Sequence, residues 1–151
     1  MSDSRPPFVL LIAINQYVTK AYDNLAGAVK DAESVKAYVE KYLGLDATSP
    51  RVRTLYDSSA TRQAIISELQ NLASSEDIQK GDPIIIFYAG HDCEVPAPEG
   101  WDSTGNCIQA ILPHDFDENN LDSAISGRTI GALLERIANE KGDNIVSSNR
   151  V

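Results

Sequence analysis

The sequence predicts one α/β domain built around a mainly parallel β-sheet. Two short runs, Phe8–Ile14 and Pro83–Ala89, are apolar almost throughout, which is typical of strands buried on both faces. Segments with helical apolar spacing separate the predicted strands, so strand and helix alternate along the chain. The composition, with 42% hydrophobic and 23% charged residues in 151, is that of a folded domain rather than a disordered chain.

A short lead-in precedes the first predicted strand and helix. Residues 1–7 are polar and end in two prolines, which favours a flexible segment before the strand Phe8–Ile14. Leu25–Leu43 carries its apolar residues on one helical stripe, and Gly44 is expected to end that helix.

The middle of the chain repeats this strand and helix order. Arg51–Tyr56 alternates like a half-buried strand, and Ser58 or Ser59 is expected to cap the helix that follows. The inner face of this second helix is predicted to hold Ile65, Ile66, Leu69 and Leu72. Pro83–Ala89 then gives the clearest strand pattern in the sequence.

The last third mixes loop and regular structure. Gly90–Gly105 is rich in proline and glycine and predicts a long loop, and Cys107–Leu112 predicts a short strand or hairpin arm. Ser126 is expected to cap a third helix that ends at Gly142. Asn144–Val146 begins a further strand, after which the residues turn polar.

Charge and cysteine content exclude several classes of function. The net charge of −9 argues against binding nucleic acid or an anionic membrane surface. The two cysteines, Cys93 and Cys107, form neither a disulfide framework nor a zinc pattern. The longest apolar run is too short to span a bilayer and lacks a signal-peptide cleavage site, so the cytoplasm is the expected location.

Polar residues follow three of the predicted strands. Ligand crevices of parallel sheets lie beyond the carboxyl ends of the strands. Asn15 and Gln16 follow the first strand, Asp57 follows the second, and Gly90–Cys93 follows the third. His91 in the last group could act as a general base near neutral pH, the alternative being a loop histidine that only bonds nearby backbone.

Several collinear motifs resemble those of a known peptidase family. Tyr88–His91 (YAGH) resembles the YAGHG or YSGHG motif of metacaspases and other caspase-like cysteine peptidases. Further segments agree in order and spacing: Ala13–Tyr17, Leu25–Ala32, Ala60–Ile65, Val95–Trp101 and Ile108–Phe116. The last two are similar to loops of fungal caspase-like proteins. The resemblance implies a caspase-like three-layer αβα domain over residues 8–151.

The resemblance also implies a histidine–cysteine dyad with His91 as its histidine. In the family the nucleophilic cysteine ends the next core strand, within a D-x-C-H-S-G-like segment. That strand would begin at Asn144 here, and no cysteine follows Cys107. Asp92 replaces the family's glycine at the oxyanion position, where its carboxylate would oppose developing negative charge.

Cys93 is the alternative nucleophile. A thiol near an imidazole is suitable chemistry for nucleophilic catalysis, but a single loop cannot easily present both groups across a scissile bond. Asp92 and Glu94 are expected to raise the pKa of the thiol. The alternative interpretation is an ordinary loop cysteine.

Asp31 matches the aspartate of the family's N-D-A motif. The resemblance places this carboxylate in a pocket that receives a basic substrate side chain. The alternative is an acid favoured by the macrodipole near a helix N-terminus, and Lys30 could neutralise it. The partner aspartate, two residues before the cysteine in the family, is absent as well.

No metal or cofactor is expected. Asp115–Asp122 begins like a calcium loop but lacks the glycine at its sixth position and the glutamate at its twelfth, so a solvated loop is favoured. His114 beside Asp115 supplies too few ligands for a transition metal.

Taken together, the residues and the resemblance predict a large-subunit part of the family domain, truncated at its C-terminal end. Such a chain is expected to be an inactive pseudo-peptidase that binds a protein or peptide ligand, or self-associates through an exposed sheet edge. The alternative is a peptidase half that cleaves after Arg or Lys only when a complementary chain supplies the cysteine.

Overall fold

The computed structural model describes residues 5–46, 48–100 and 104–150. Its helices and strands, in chain order, are β1 (Phe8–Ala13), α1 (Ala28–Tyr42), β2 (Val52–Tyr56), α2 (Arg62–Ser74), β3 (Ile84–Ala89), β4 (Asp92–Pro96), β5 (Cys107–Ile111), β6 (Ile125–Ser126), α3 (Gly127–Lys141) and β7 (Ile145–Arg150). Residues 1–4 of the predicted lead-in, Trp101 of the loop motif and Val151 lie outside the described residues.

Four parallel strands in the order β2–β1–β3–β7 form the central sheet, which confirms the predicted fold class. All six residues of β1 are buried because helices cover both of its faces. Helix α1 packs on one face through Ala32 and Val39, and α2 and α3 pack on the other through Leu69 and Ile137. The result is the predicted three-layer αβα arrangement.

A small antiparallel sheet corrects the prediction of a long loop over Gly90–Gly105. Asp92–Pro96 forms β4 and pairs with β5, from Asp92 opposite Ile111 to Pro96 opposite Cys107. Strand β6 pairs with β5 on its other side. Pro96 lies at the end of β4, where a missing N–H does not interrupt the ladder.

The helix termini confirm one predicted cap and correct another. Ser126 Oγ accepts a hydrogen bond from the Thr129 N–H at 3.1 Å, and Gly142 follows α3 with φ +90°, both as predicted. Ser58 and Ser59 do not cap α2, because they lie in a 3₁₀ turn. Thr61 caps it instead, accepting from the Ala64 N–H at 3.2 Å.

Strand β7 extends further than the apolar pattern indicates. Its polar residues continue the parallel ladder with β3, from Ile145 beside Ile84 to Arg150 beside Ala89. Backbone pairing therefore extends the strand beyond the apolar residues. Within the described part of the chain β7 is an edge strand, and its Val146 side chain is 62% exposed. In that same part, no helix has the length and apolar character needed to cross a membrane.

Candidate functional site

The carboxyl ends of β1 and β2 are joined by one carboxylate. Asp57 Oδ1 accepts hydrogen bonds from the backbone N–H groups of Asn15 at 2.8 Å and Gln16 at 3.0 Å. Asp57 has φ +49°, a left-handed conformation that aspartate tolerates better than most residues. The strand-end residues singled out in the sequence therefore meet at one edge of the sheet.

Asn15 also fixes the start of α1 at this edge. Its side-chain Oδ1 accepts from the N–H groups of Ala28 at 2.9 Å and Val29 at 3.3 Å. Gly27, the residue in the N-cap position, supplies no side chain for that purpose. Asn15 thus acts as a remote helix cap and holds the first turn of α1, which carries Asp31, at the crevice.

The backbone of His91 is held by two tyrosine hydroxyls. The His91 N–H donates to Tyr17 Oη at 2.7 Å, and the His91 carbonyl accepts from Tyr88 Oη at 2.6 Å. A Cβ on Gly90 would lie 2.7 Å from Tyr88 Oη and 2.8 Å from Tyr17 Oη. Any residue with a Cβ would force one of the hydroxyls to shift, which explains the glycine of the motif on steric grounds.

The imidazole of His91 is oriented by a carbonyl and two aromatic rings. Its Nε2 lies 2.7 Å from the Asp23 carbonyl oxygen. Because a carbonyl can only accept, Nε2 carries the hydrogen and Nδ1 of the neutral ring is left as the basic nitrogen. The rings of Tyr17 and Tyr22 contact it, with centroids at 5.1 and 5.4 Å. The half-buried ring is therefore held in one orientation, with Nδ1 as its acceptor nitrogen.

Cys93 follows on β4 and is half-buried against Tyr22. Burial raises the pKa of its thiol; the hydrogen bond with Tyr22 lowers it in part, and the Asp92 carboxylate raises it again. Glu94, the other acid expected to act on the thiol, accepts a hydrogen bond from Gln109 Nε2 at 3.2 Å. A raised pKa keeps the thiol protonated, which is unfavourable for a nucleophile.

Asp31 lines a cleft of about 320 Å³ at the carboxyl end of β3. The other wall is formed by Ala89 and Gly90, directly before His91, and the remaining lining comes from Leu25–Ala28. Asp31 is partly exposed, whereas Lys30 is exposed and does not line the cleft. The structure thus brings the Asp31 carboxylate and the backbone of the histidine motif to one cleft, a suitable arrangement for a cationic side chain.

The acidic segment that follows β5 makes hydrogen bonds to Thr19 and to the start of α2. Asp115 Oδ1 accepts from the Arg62 N–H at 2.9 Å, which helps cap α2, and Glu118 accepts from Thr19 Oγ1. His114 Nδ1 donates to the Gln16 carbonyl at 2.6 Å. Among the residues that the structure describes, no group of three or more His, Cys, Asp or Glu could hold a metal ion.

Sequence reasoning did not single out the residues that orient His91. Tyr17 lies within a matching motif, but nothing in its pattern shows that it bonds the histidine backbone 74 positions later. Asp23 acts through its carbonyl, which every residue type carries, so no sequence signal could have identified it.

Comparisons with known proteins agree with this geometry. Residues 7–138 match the caspase domain of peptidase family C14. Metacaspase-4 of Arabidopsis thaliana is 33% identical over 112 residues, which are 72% of this chain and 26% of that protein. Metacaspase-6 of the same plant is 32% identical over 112 residues, covering 72% and 29%. The chain thus spans less than a third of the length of either relative.

A solved structure shows the same fold. The crystal structure of a Geobacter sulfurreducens protein superposes with a TM-score of 0.67 at 21% identity, covering 96% of this chain and 49% of the other.

Proposed function

The chain belongs to the caspase-domain family of cysteine peptidases, and from this we propose that its 151 residues carry the histidine half of a catalytic dyad without a thiol placed to complete it. By themselves they would bind a protein or peptide ligand and not hydrolyse it. The fungal type and the cytoplasmic location stay predictions of the sequence.

The orientation of His91 is the observation that supports this proposal. The Asp23 carbonyl holds the Nε2–H, so Nδ1 could accept a proton from a nucleophile. In the family that nucleophile ends the next core strand. Strand β7 runs parallel to β3 with Arg150 beside Ala89, so its carboxyl end lies next to the strand end that leads into His91.

The thiols of the chain support inactivity. Strand β7 contains no cysteine, Cys107 lies on the antiparallel sheet, and Cys93 has a raised pKa. Loss of a covalent nucleophile typically lowers peptidase rates by several powers of ten. The cleft beside Gly90 keeps its carboxylate, Asp31, and would select ligands with an Arg or Lys side chain.

A second candidate function follows from the edge strand. The outer side of β7 pairs with no strand among the described residues, and Val146 is exposed beside it. An unpaired strand edge is a template for another strand. A complementary polypeptide that docks there could place a cysteine beside His91 and restore cleavage after Arg or Lys, and a second copy of this chain could occupy the same edge.

Peptide hydrolysis tests both candidates. We expect no turnover of fluorogenic peptides ending in Arg or Lys above that of His91→Ala. Peptide turnover by the parent chain that is abolished in His91→Ala would refute the proposed inactivity. If Cys93→Ala abolished the same turnover, Cys93 would be identified as the nucleophile. Restored cleavage by a complementary polypeptide, the second candidate function, requires His91-dependent turnover when a polypeptide with a D-x-C-H-S-G segment is added. A monomer mass independent of concentration would rule out self-association.

A further inference from the structure

An apolar cavity of about 140 Å³ lies between the central sheet and the two helices on one of its faces. Seven aliphatic residues form most of its wall: Ile12 and Ile86 from the central sheet, Ile65 and Leu69 from α2, Ile130 and Leu134 from α3, and Ile111 from β5. It is separate from the Asp31 cleft, which lies at the carboxyl end of β3 near α1.

The chemistry of the wall restricts what can bind. None of the described residues that line the cavity is charged. Tyr88 also lines it, but its hydroxyl already donates to the His91 carbonyl at 2.6 Å. A polar ligand would therefore lose its hydrogen bonds with water and gain few in return. An engineered apolar cavity of about 150 Å³, lined by Leu, Ile and Phe, binds benzene, which sets the size of ligand to expect here.

The cavity has a route to solvent at the sheet edge. Ser147 and Ser148 of β7 line it and are exposed. Ser147 lies beside Ile86 in the parallel register, which places it on the cavity face, whereas Val146 lies beside Ile85 on the opposite face. A small ligand can thus enter past the two serines without unfolding a helix.

We propose that this cavity binds a small neutral hydrocarbon group, that is, a single aromatic ring or an aliphatic chain of similar size. We also propose that ligand binding there changes the environment of the His91 backbone. The coupling to His91 is argued from Tyr88, which lines the cavity while its hydroxyl donates to the His91 carbonyl. Ligand binding in this cavity does not require peptidase activity, so its test does not depend on the function proposed above.

Titration of the 151-residue chain with toluene, followed by ¹H–¹⁵N NMR, tests the proposal. We expect saturable shifts of the Ile86, Tyr88 and His91 amides. Ser147→Phe places an aromatic ring at the cavity mouth and should weaken toluene binding about tenfold or more, a difference that single-site titration resolves readily. Val146→Phe adds the same ring on the opposite face and should leave affinity within about twofold of the parent.

Circular dichroism checks that both variants are folded. If Ser147→Phe does not fold, Ser147→Leu replaces it as the variant that blocks the cavity mouth. Absence of saturable binding, or equal affinity in the Ser147 and Val146 variants, would overturn the cavity site. Binding without a shift at His91 would overturn the coupling. Affinity that falls as protein concentration rises would show that a second copy closes the cavity, and would overturn the assignment to a hydrocarbon ligand.

Discussion

The hydroxyl of Tyr17 accepts a hydrogen bond from the backbone N–H of His91 at 2.7 Å, so a side chain just beyond β1 holds the residue just beyond β3. Tyr17 is 4% exposed. Burial raises the pKa of its phenol, opposed by the hydrogen bonds with His91 and Tyr88. The phenol therefore stays neutral at physiological pH and remains an acceptor for the histidine backbone.

Tyr17→Phe should destabilise the domain by about 1–3 kcal/mol, because the His91 N–H loses its acceptor in a partly buried position. Urea denaturation measures the change. Tyr42→Phe alters a 60% exposed tyrosine and should stay within about 0.5 kcal/mol of the parent. Equal effects of the two substitutions would contradict a structural role for the Tyr17 hydroxyl.

Gly90→Ala should cost about 1–3 kcal/mol, because its Cβ would lie under 3 Å from the hydroxyls of Tyr17 and Tyr88. Thermal unfolding gives the effect. The matched control is Gly131→Ala on the exposed side of α3, where a Cβ meets nothing within 4 Å. That change should stabilise the helix by up to about 1 kcal/mol. An unfolding temperature raised by both substitutions would show that the hydroxyls can move aside.

Asn15→Ala should destabilise by about 0.5–2 kcal/mol through loss of the remote cap on α1. Hydrogen exchange should show faster exchange at Ala28 and Val29, whose N–H groups lose their acceptor. Asn71→Ala, an exposed position on α2, is the control and should leave exchange at α1 unchanged. Unchanged protection of Ala28 in Asn15→Ala would mean that water replaces the cap without cost.

Alkylation of Cys93 should begin at higher pH than for an ordinary thiol, because its pKa is raised and only the thiolate reacts. Iodoacetamide labelling in a Cys107→Ser background isolates this thiol. Asp92→Asn should shift the onset to lower pH, because the Asp92 carboxylate is one of the groups that raise the pKa. Glu94→Gln should not shift it; an equal shift in both variants would point to a general effect of net charge.

Asp31→Asn should weaken binding of a peptide ending in arginine by about tenfold, in line with loss of a charge-assisted hydrogen bond. Fluorescence anisotropy with a labelled peptide measures affinity, and the same peptide ending in alanine gives the background. Glu33→Gln changes an exposed acid of α1 that does not line the cleft, and it controls for long-range attraction. Comparable losses in both variants would remove Asp31 from the binding site.

The central strands were predictable because their residues are apolar on both faces, as at Leu10 on one face and Leu11 on the other. Strand β4 was not, since Asp92 and Glu94 give no apolar run and its order comes from pairing with β5. The position of His91 followed from its place after β3. The orientation of His91 could not be predicted, because the Asp23 carbonyl and the Tyr17 hydroxyl are distant from it in the sequence and contact it only in the folded chain.

Asn15 uses its backbone toward Asp57 and its side chain toward α1, so a single residue links the end of β2 to the wall of the Asp31 cleft. The frame of the cleft therefore depends on Asn15 more than on exposed lining side chains such as Ala26. Redesign of ligand preference should therefore succeed through side chains such as Ala26 and Asp31, and fail when it begins at Asn15 or Asp57.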